Sequence, residues 1–251
     1  MAVIGIMSAM HEELAAVLQA MPDEQRVRLA GRDFWVGHWQ GHSVVAGLSH
    51  IGKVAAATTA TLLISHFKAE ALVFTGVAGG LGAGVKVGDV VVASGLVQHD
   101  MDASPLFPRY EVPLYARSVF EADTALSDAL AAAAQQVLSH APVHLGAAAM
   151  AEFGMQFPQL HRGLVLSGDR FVSTTTESCA LMQALPDALA VEMEGAAVAQ
   201  VCFDFGVPLA AVRTISDRAD DDAHADFNRF IREVASRYSL AILTQWLAAR
   251  P

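Results

Sequence analysis

Residues 71–94, ALVFTGVAGGLGAGVKVGDVVVAS, decide what kind of chain this is. An apolar, strand-like run (71–76) ends in a glycine-rich turn. A second strand-like run (88–94) then follows where a dinucleotide-binding unit would need a helix. The glycines also miss the G-x-G-x-x-G register. The turn is therefore not a phosphate loop, and its glycines are read as places where the backbone lets a planar or sugar ligand come close.

Outward from this stretch, short β-rich runs alternate with alanine-rich helical ones. AVIGIM (2–7) precedes the helical HEELAAVLQAM (11–21), FWVGHWQGHSVVAGLS (34–49) reads as a hairpin, and KVAAATTATLLISHF (53–67) as a helix. A helix over 123–139, strands GLVLSG (163–168), ALAVEM (188–193) and VPLAAVRTIS (207–216), and a last helix over 225–249 complete the pattern. Strands buried on both faces, with helices between them, predict an α/β fold. The expectation is a single domain, 1–251, with a central mixed, mostly parallel sheet flanked by helices. Three prolines in ASPLFPRYEVPLYARS (103–118) predict an extended loop.

Composition excludes whole classes of function. The 251 residues are 53% hydrophobic, enough for one large core, and carry 26 acidic against 16 basic residues. Only Lys53, Lys68 and Lys86 are lysines, so a basic face for a nucleic-acid backbone is not available. No apolar run reaches membrane-spanning length, and the N-terminus lacks the charged start of a secretory signal. Cys179 and Cys202 have neither metal-ligand nor disulfide spacing and are expected to be buried, inert thiols. A cytoplasmic protein is expected, with a small-molecule partner and neither nucleic acid nor membrane.

Ligands of open α/β sheets sit beyond the carboxyl ends of the strands. There the sequence places Glu12 and Glu13, Val77 to Gly80, Asp169 to Phe171, Glu194 and Asp217, so acidic and glycine-rich chemistry gathers at one edge. In LAVEMEGAAVAQVC (189–202), Glu192 and Glu194 interrupt an apolar run, and buried carboxylates are expensive unless something pairs with them. If the strand ends near Met193, Glu194 starts the next helix, where a carboxylate suits the N-terminal dipole; a capping role and a ligand role both remain open. Asp220, Asp221 and Asp222 read as a solvated loop or helix start, and QHDMD (98–102) as the exit from a strand. No calcium-loop spacing is present, and no metal is expected.

Six ordered stretches, GIMSAMHEEL, SHIGKVAAA, FTGVAGGL with VGDVVVAS, SGDRF, AVEMEGAAVAQVC and RTISDRAD, carry a resemblance that spans nearly the whole chain. Together they resemble the bacterial 5'-methylthioadenosine/S-adenosylhomocysteine nucleosidases of the nucleoside phosphorylase superfamily. The resemblance implies hydrolysis of the bond between ribose C1' and adenine N9, with no cofactor. It makes Glu13 the base that activates water and Asp217 the acid that assists departure of adenine through N7. By the same resemblance Glu194 holds the ribose hydroxyls while Met193 packs on the sugar, and Phe171 and Val172 recognise adenine. Ala78, Gly79 and Ser216 line the site, and Ile51 and Phe227 contact the 5' substituent. Glu192 is included as a substrate-binding position, with Arg213 as its candidate partner. The family also implies a homodimer, in which Leu106 and Phe107 of the proline-bounded loop would reach a neighbouring site.

An oxocarbenium-like transition state independently calls for one carboxylate on water and one acid on the leaving group. His11 stands where an acidic residue is frequent in the family, Val77 stands where one branch has serine, and 138–163 is longer than the family usually has. A purine nucleoside phosphorylase would cradle phosphate with arginines, yet none precedes Arg26, and SAMHEEL puts negative charge where the anion would sit. A futalosine-type nucleosidase would share the catalytic residues and differ at the 5' subsite. A nucleoside-binding protein without catalysis would need neither Glu13 nor Asp217.

Overall fold

The computed structural model describes residues 2–220 and 227–250, with Phe227 and Asn228 as backbone only. The strands are β1 (Val3–Ser8), β2 (Gln25–Leu29), β3 (Arg32–Trp39), β4 (His42–Leu48), β5 (Ala69–Gly80), β6 (Val90–Gln98), β7 (Val119–Glu121), β8 (Leu160–Ser167), β9 (Ala188–Glu192) and β10 (Leu209–Asp217). The helices are α1 (His11–Gln19), α2 (Lys53–Ser65), α3 (Thr124–Ser139), α4 (Ala141–Leu145), α5 (Ala147–Glu152), α6 (Thr175–Ala184), α7 (Gly195–Phe205), α8 (Phe227–Phe230) and α9 (Ser236–Ala248). A π-helical turn, Ile231–Ala235, joins the last two, so the helix expected to run unbroken through this region winds more widely there.

All strands belong to one mixed sheet, ordered β10-β6-β8-β9-β5-β1-β4-β3-β2, with β7 beside β6. β1 lies parallel between β4 and β5, and β8 parallel between β6 and β9. The hairpin over 34–49 is there, antiparallel in β3 and β4. β10 pairs with β5 in parallel as well as with β6 in antiparallel, so β5, β9, β8, β6 and β10 close on themselves. The open remainder, β1-β4-β3-β2, fans out from one side of that ring.

Two apolar cores cover the two faces. On one, α1, α3 and α9 pack around Leu14, Leu130, Ile242 and Trp246 against Ile6 and Val212. On the other, α2 lies on α7 over Phe74, Val91 and Ala211. Both of these helices are rich in alanine and other small residues, which lets two helix backbones approach closely.

Five elements have no counterpart in the sequence reading. β2 and β7 are short and carry too little alternation to stand out, and α6 lies in a polar stretch where Thr174 accepts the Glu177 N–H as an N-cap. The long 138–163 segment folds into α4 and α5. Leu145 O accepts Arg237 Nη1 at 2.6 Å, and Phe153 meets Phe230 edge to face with ring centres 5.2 Å apart. The segment thus braces the C-terminal helices, and none of its residues lines the cleft described below. The loop 103–118 runs without strand or helix apart from a bridge between Val112 and Arg117. One cysteine differs from expectation: Cys202 is buried, and burial pushes its thiol up to about 12, but Cys179 is exposed on α6. Among the described residues no helix is long and apolar enough to cross a membrane.

Candidate active site

The carboxyl ends of β1, β5, β9 and β10 and the turn after β8 converge on one cleft of about 670 Å³, open to solvent. Glu13, Ile51, Ala78, Gly79, Phe171, Val172, Glu192, Met193, Glu194, Ser216 and Asp217 all line it, as the sequence reading places them. The side chain of Phe227 lies outside the described residues, as do Asp221 and Asp222. Val77 and Arg170, which the sequence sets at the same strand ends, also line the cleft, as do Ala9, Met10 and Val191, whose side chains carry no polar signal of their own.

Glu13 sits in the first turn of α1, and its carboxylate folds back over the helix start. Oε2 accepts the N–H groups of Ala9 and Met10, both at 2.9 Å, and Oε1 accepts that of Val77 at 3.0 Å. A carboxylate offers about four lone-pair sites, so one is left for a proton. Burial is almost complete, at 1% exposure, and it raises the Glu13 carboxyl above the ordinary glutamate value despite these donors and the Arg213 charge. Val77, where the family resemblance expects serine in one branch, supplies a backbone amide to Glu13, and that contact does not depend on its side chain.

The two carboxylates of VEME part ways. β9 ends at Glu192, whose oxygens accept Ser167 Oγ, the Gly195 N–H at 2.9 Å and Arg213 Nη2 at 2.8 Å. Ser167 Oγ in turn accepts the Ala196 N–H at 2.7 Å. Arg213 is almost fully buried, donates to Phe74 O at 2.8 Å and lies 4.1 Å from the centre of the Phe74 ring. The capping role considered for Glu194 therefore falls to Glu192, which also reaches the cleft wall. Glu194 occupies the N-cap position without a side-chain capping bond and instead accepts the Gly52 N–H at 2.7 Å. Its carboxyl is pushed up to about 8, by burial first and by the Glu192 charge second.

Asp217 ends β10, half-buried, with Oδ2 accepting Ser216 Oγ at 2.7 Å and Oδ1 the Ala219 N–H at 2.8 Å. A Cβ on Gly79 would stand 2.9 Å from Asp217 Oδ1, so a larger residue there would displace the carboxylate. Phe171 and Ile51 face the opening, partly exposed, and Met193 lies between the two glutamates in sequence. The result is an apolar cleft that gathers a buried, proton-seeking carboxyl, a second raised carboxyl and a strand-end aspartate. Such shifted groups in a cleft mark functional sites. Among the described residues no group of three histidine, cysteine or acidic side chains is arranged to hold a metal ion.

Comparison with known proteins agrees with this geometry. The model of the phosphorylase superfamily matches residues 3–247. A 5'-methylthioadenosine/S-adenosylhomocysteine nucleosidase from Neisseria meningitidis, solved with methylthio-immucillin-A, superposes with a TM-score of 0.87 at 29% identity, over 100% of each chain. The corresponding nucleosidase from S. pneumoniae, with a transition-state inhibitor, gives 0.83 at 35% identity, covering 98% of this chain and 99% of that one. The native futalosine hydrolase of Helicobacter pylori gives 0.81 at 33% identity, over 98% and 97% of the two chains. With its fold, its cleft and these neighbours in agreement, the chain belongs to the phosphorylase superfamily, as an N-glycosyl hydrolase within it.

Proposed function

We propose that the protein hydrolyses the N-glycosidic bond of 5'-methylthioadenosine, S-adenosylhomocysteine and 5'-deoxyadenosine, releasing adenine and the 5-substituted ribose. The observation that carries this reading is the buried Glu13 carboxyl, raised by desolvation and opening on the same cleft as Asp217 and Glu194. A raised base is matched to taking a proton from water near neutral pH. Water adds to C1' as the C1'–N9 bond breaks, its proton passes to Glu13, and Asp217 delivers a proton to purine N7 so that adenine leaves neutral. Glu194 binds the ribose hydroxyls. In its protonated form it offers one donor and one acceptor, a match for a pair of hydroxyls that can do both. Phe171 and Val172 hold the base, Met193 packs on the sugar, and Ala78, Gly79 and Ser216 complete the wall. Glu192 acts by holding Arg213 and the start of α7.

The 5' group would meet Ile51, which lines the cleft. Ile51 and Val54 are 60% and 79% exposed at the start of α2, and Leu106 is 84% exposed in the proline-bounded loop. Apolar surface of this kind marks contacts, and we read it as the face of a homodimer in which Leu106 and Phe107 close the neighbour's 5' subsite. Light scattering at micromolar concentration is expected to give twice the chain mass; a fully active monomer overturns the dimer. A cytoplasmic setting fits the two free cysteines.

The test of the activity is chromatography of free base and sugar from 5'-methylthioadenosine, S-adenosylhomocysteine, 5'-deoxyadenosine, adenosine and futalosine, with and without phosphate. Adenine is expected without phosphate, and adenosine is expected to be disfavoured by about 1–3 kcal/mol, because an apolar subsite discriminates by that much over one small group. Equal efficiency on adenosine overturns the apolar subsite. A phosphate requirement, with a sugar phosphate as product, overturns hydrolysis. Futalosine as the better substrate assigns the futalosine hydrolase reading instead.

A further inference from the structure

Beside the cleft, three charged side chains that do not line it close a hydrogen-bonded ring. Lys53 Nζ donates to Asp100 Oδ1 at 2.6 Å and to Gln98 Oε1 at 3.2 Å. Asp100 Oδ2 accepts the Asp169 N–H at 2.9 Å, and Asp169 Oδ1 accepts the Lys53 N–H at 2.7 Å. Burial pushes the Asp100 carboxyl up, but the Lys53 ammonium and the Asp169 N–H hold it below the ordinary aspartate value. Gln98 Nε2 also donates to Gln200 Oε1 at 2.8 Å, which ties the ring to α7.

The ring joins two segments that both flank the cleft. Ile51 and Gly52 precede Lys53 at the start of α2, and Arg170 to Val172 follow Asp169. Gly52 sits between the two halves. Its φ of +97° is a conformation that side chains rarely adopt, and an added Cβ would stand 3.1 Å from Asp169 Oδ1. The consecutive N–H groups of Gly52 and Lys53 thus serve two carboxylates, Glu194 and Asp169, at 2.7 Å each. Partly exposed ion pairs contribute little stability, so global folding is a weak reason for this arrangement. Placement of Glu194 is a stronger one, because the ring fixes the peptide that donates to it.

We propose that Lys53, Asp100 and Asp169 are positioning residues for Glu194: they hold the Gly52 N–H against it and keep the 170–172 turn beside the same cleft, without touching substrate. This rests on the reading of Glu194 as the ribose ligand. The test compares 5'-methylthioadenosine with its 3'-deoxy analogue, in wild type and in Asp169→Ala, Lys53→Met, Lys53→Arg and Glu194→Gln. Misplacement of a binding group can cost about 10²-fold. Asp169→Ala and Lys53→Met are expected to lower kcat/KM for 5'-methylthioadenosine about 10–10²-fold, chiefly through KM. The 3'-deoxy analogue should be far less affected, so the preference for the hydroxyl shrinks. Lys53→Arg should keep most of it, and Asp169→Ala added to Glu194→Gln should reduce it no further.

Thermal melting confirms that each variant is folded, and if Asp169→Ala is not, Lys53→Met decides. Equal losses on both nucleosides, or an undiminished preference in a folded variant, overturn the proposal. Calorimetric Kd values read the same preference without turnover. A wild type that binds and prefers the hydroxylated nucleoside without cleaving it overturns the hydrolase reading alone, and the variants still decide the ring. A wild type with no such preference overturns the ring proposal together with the role of Glu194.

Discussion

Glu13→Gln is expected to bind the nucleoside as wild type does and to lose about 10²–10⁴-fold in kcat, the range associated with one positioned proton-transfer group. Glutamine is isosteric and can still accept the Ala9, Met10 and Val77 amides through its single carbonyl oxygen only in part, so its fold is checked by melting. It cannot take a proton from water. Because the missing interaction belongs to the transition state, kcat and kcat/KM should fall together while Kd holds. Asp217→Asn should behave alike, through loss of the proton to N7. The pH profile carries the sign: Glu13 acts as a base only when ionised, and its carboxyl is raised by burial, so kcat/KM should climb with pH across a window above the ordinary glutamate range. Glu194, pushed up to about 8, titrates in the same cleft, so the apparent values belong to the site as a whole. A Glu13→Gln enzyme with wild-type kcat would remove water activation from Glu13.

The second large effect concerns Arg213. Arg213→Met leaves Glu192 buried with a charge and no counter-ion, and breaking a buried pair in this way costs about 3–5 kcal/mol. For a chain of this size that lowers Tm by about 6–20 °C. Pairing it with Glu192→Gln, which removes the stranded charge and keeps an acceptor for the Gly195 N–H, should restore a large part of the loss. A melting temperature within a degree or two of wild type for Arg213→Met alone would show that the pair holds nothing together.

Much of the fold and the cleft is legible in the sequence, for identifiable reasons. The strands that build the ring are long apolar runs, and the residues at their carboxyl ends are acids and glycines that have no reason to be there as core. Hence the order of residues alone puts Glu13, Gly79, Glu194 and Asp217 at one edge. The division of labour within VEME is legible only in part: Arg213 can be named as the partner of Glu192, and the structure pairs them, but the helix-start amide that Glu192 takes and the Gly52 N–H that Glu194 takes cannot be read from the order of residues. On an extended chain Glu192 and Glu194 share a face, and only the end of β9 at Glu192 turns one toward Arg213 and the other toward Gly52. Nor is the brace formed by α4 and α5 legible, because its contacts, such as Phe153 with Phe230, join residues far apart in sequence. Closure of the sheet is equally hidden, since it depends on β10 finding two partners.

That closure also determines where the molecule can open. β5, β9 and β10, which carry cleft residues at their ends, each have hydrogen-bonded neighbours on both sides, so no one of them can peel away alone. Local unfolding begins where backbone bonds are exposed and apolar contacts few, and that describes β2, the outermost strand of the fan. β2 is also where another chain could add a strand, and its sequence QRVRL sets two arginines along that edge, the charged kind of border that discourages such pairing. Amide exchange should therefore start at β2 and reach the strands beneath the cleft last, leaving Glu192 and Asp217, which end β9 and β10, on the slowest-opening part of the protein.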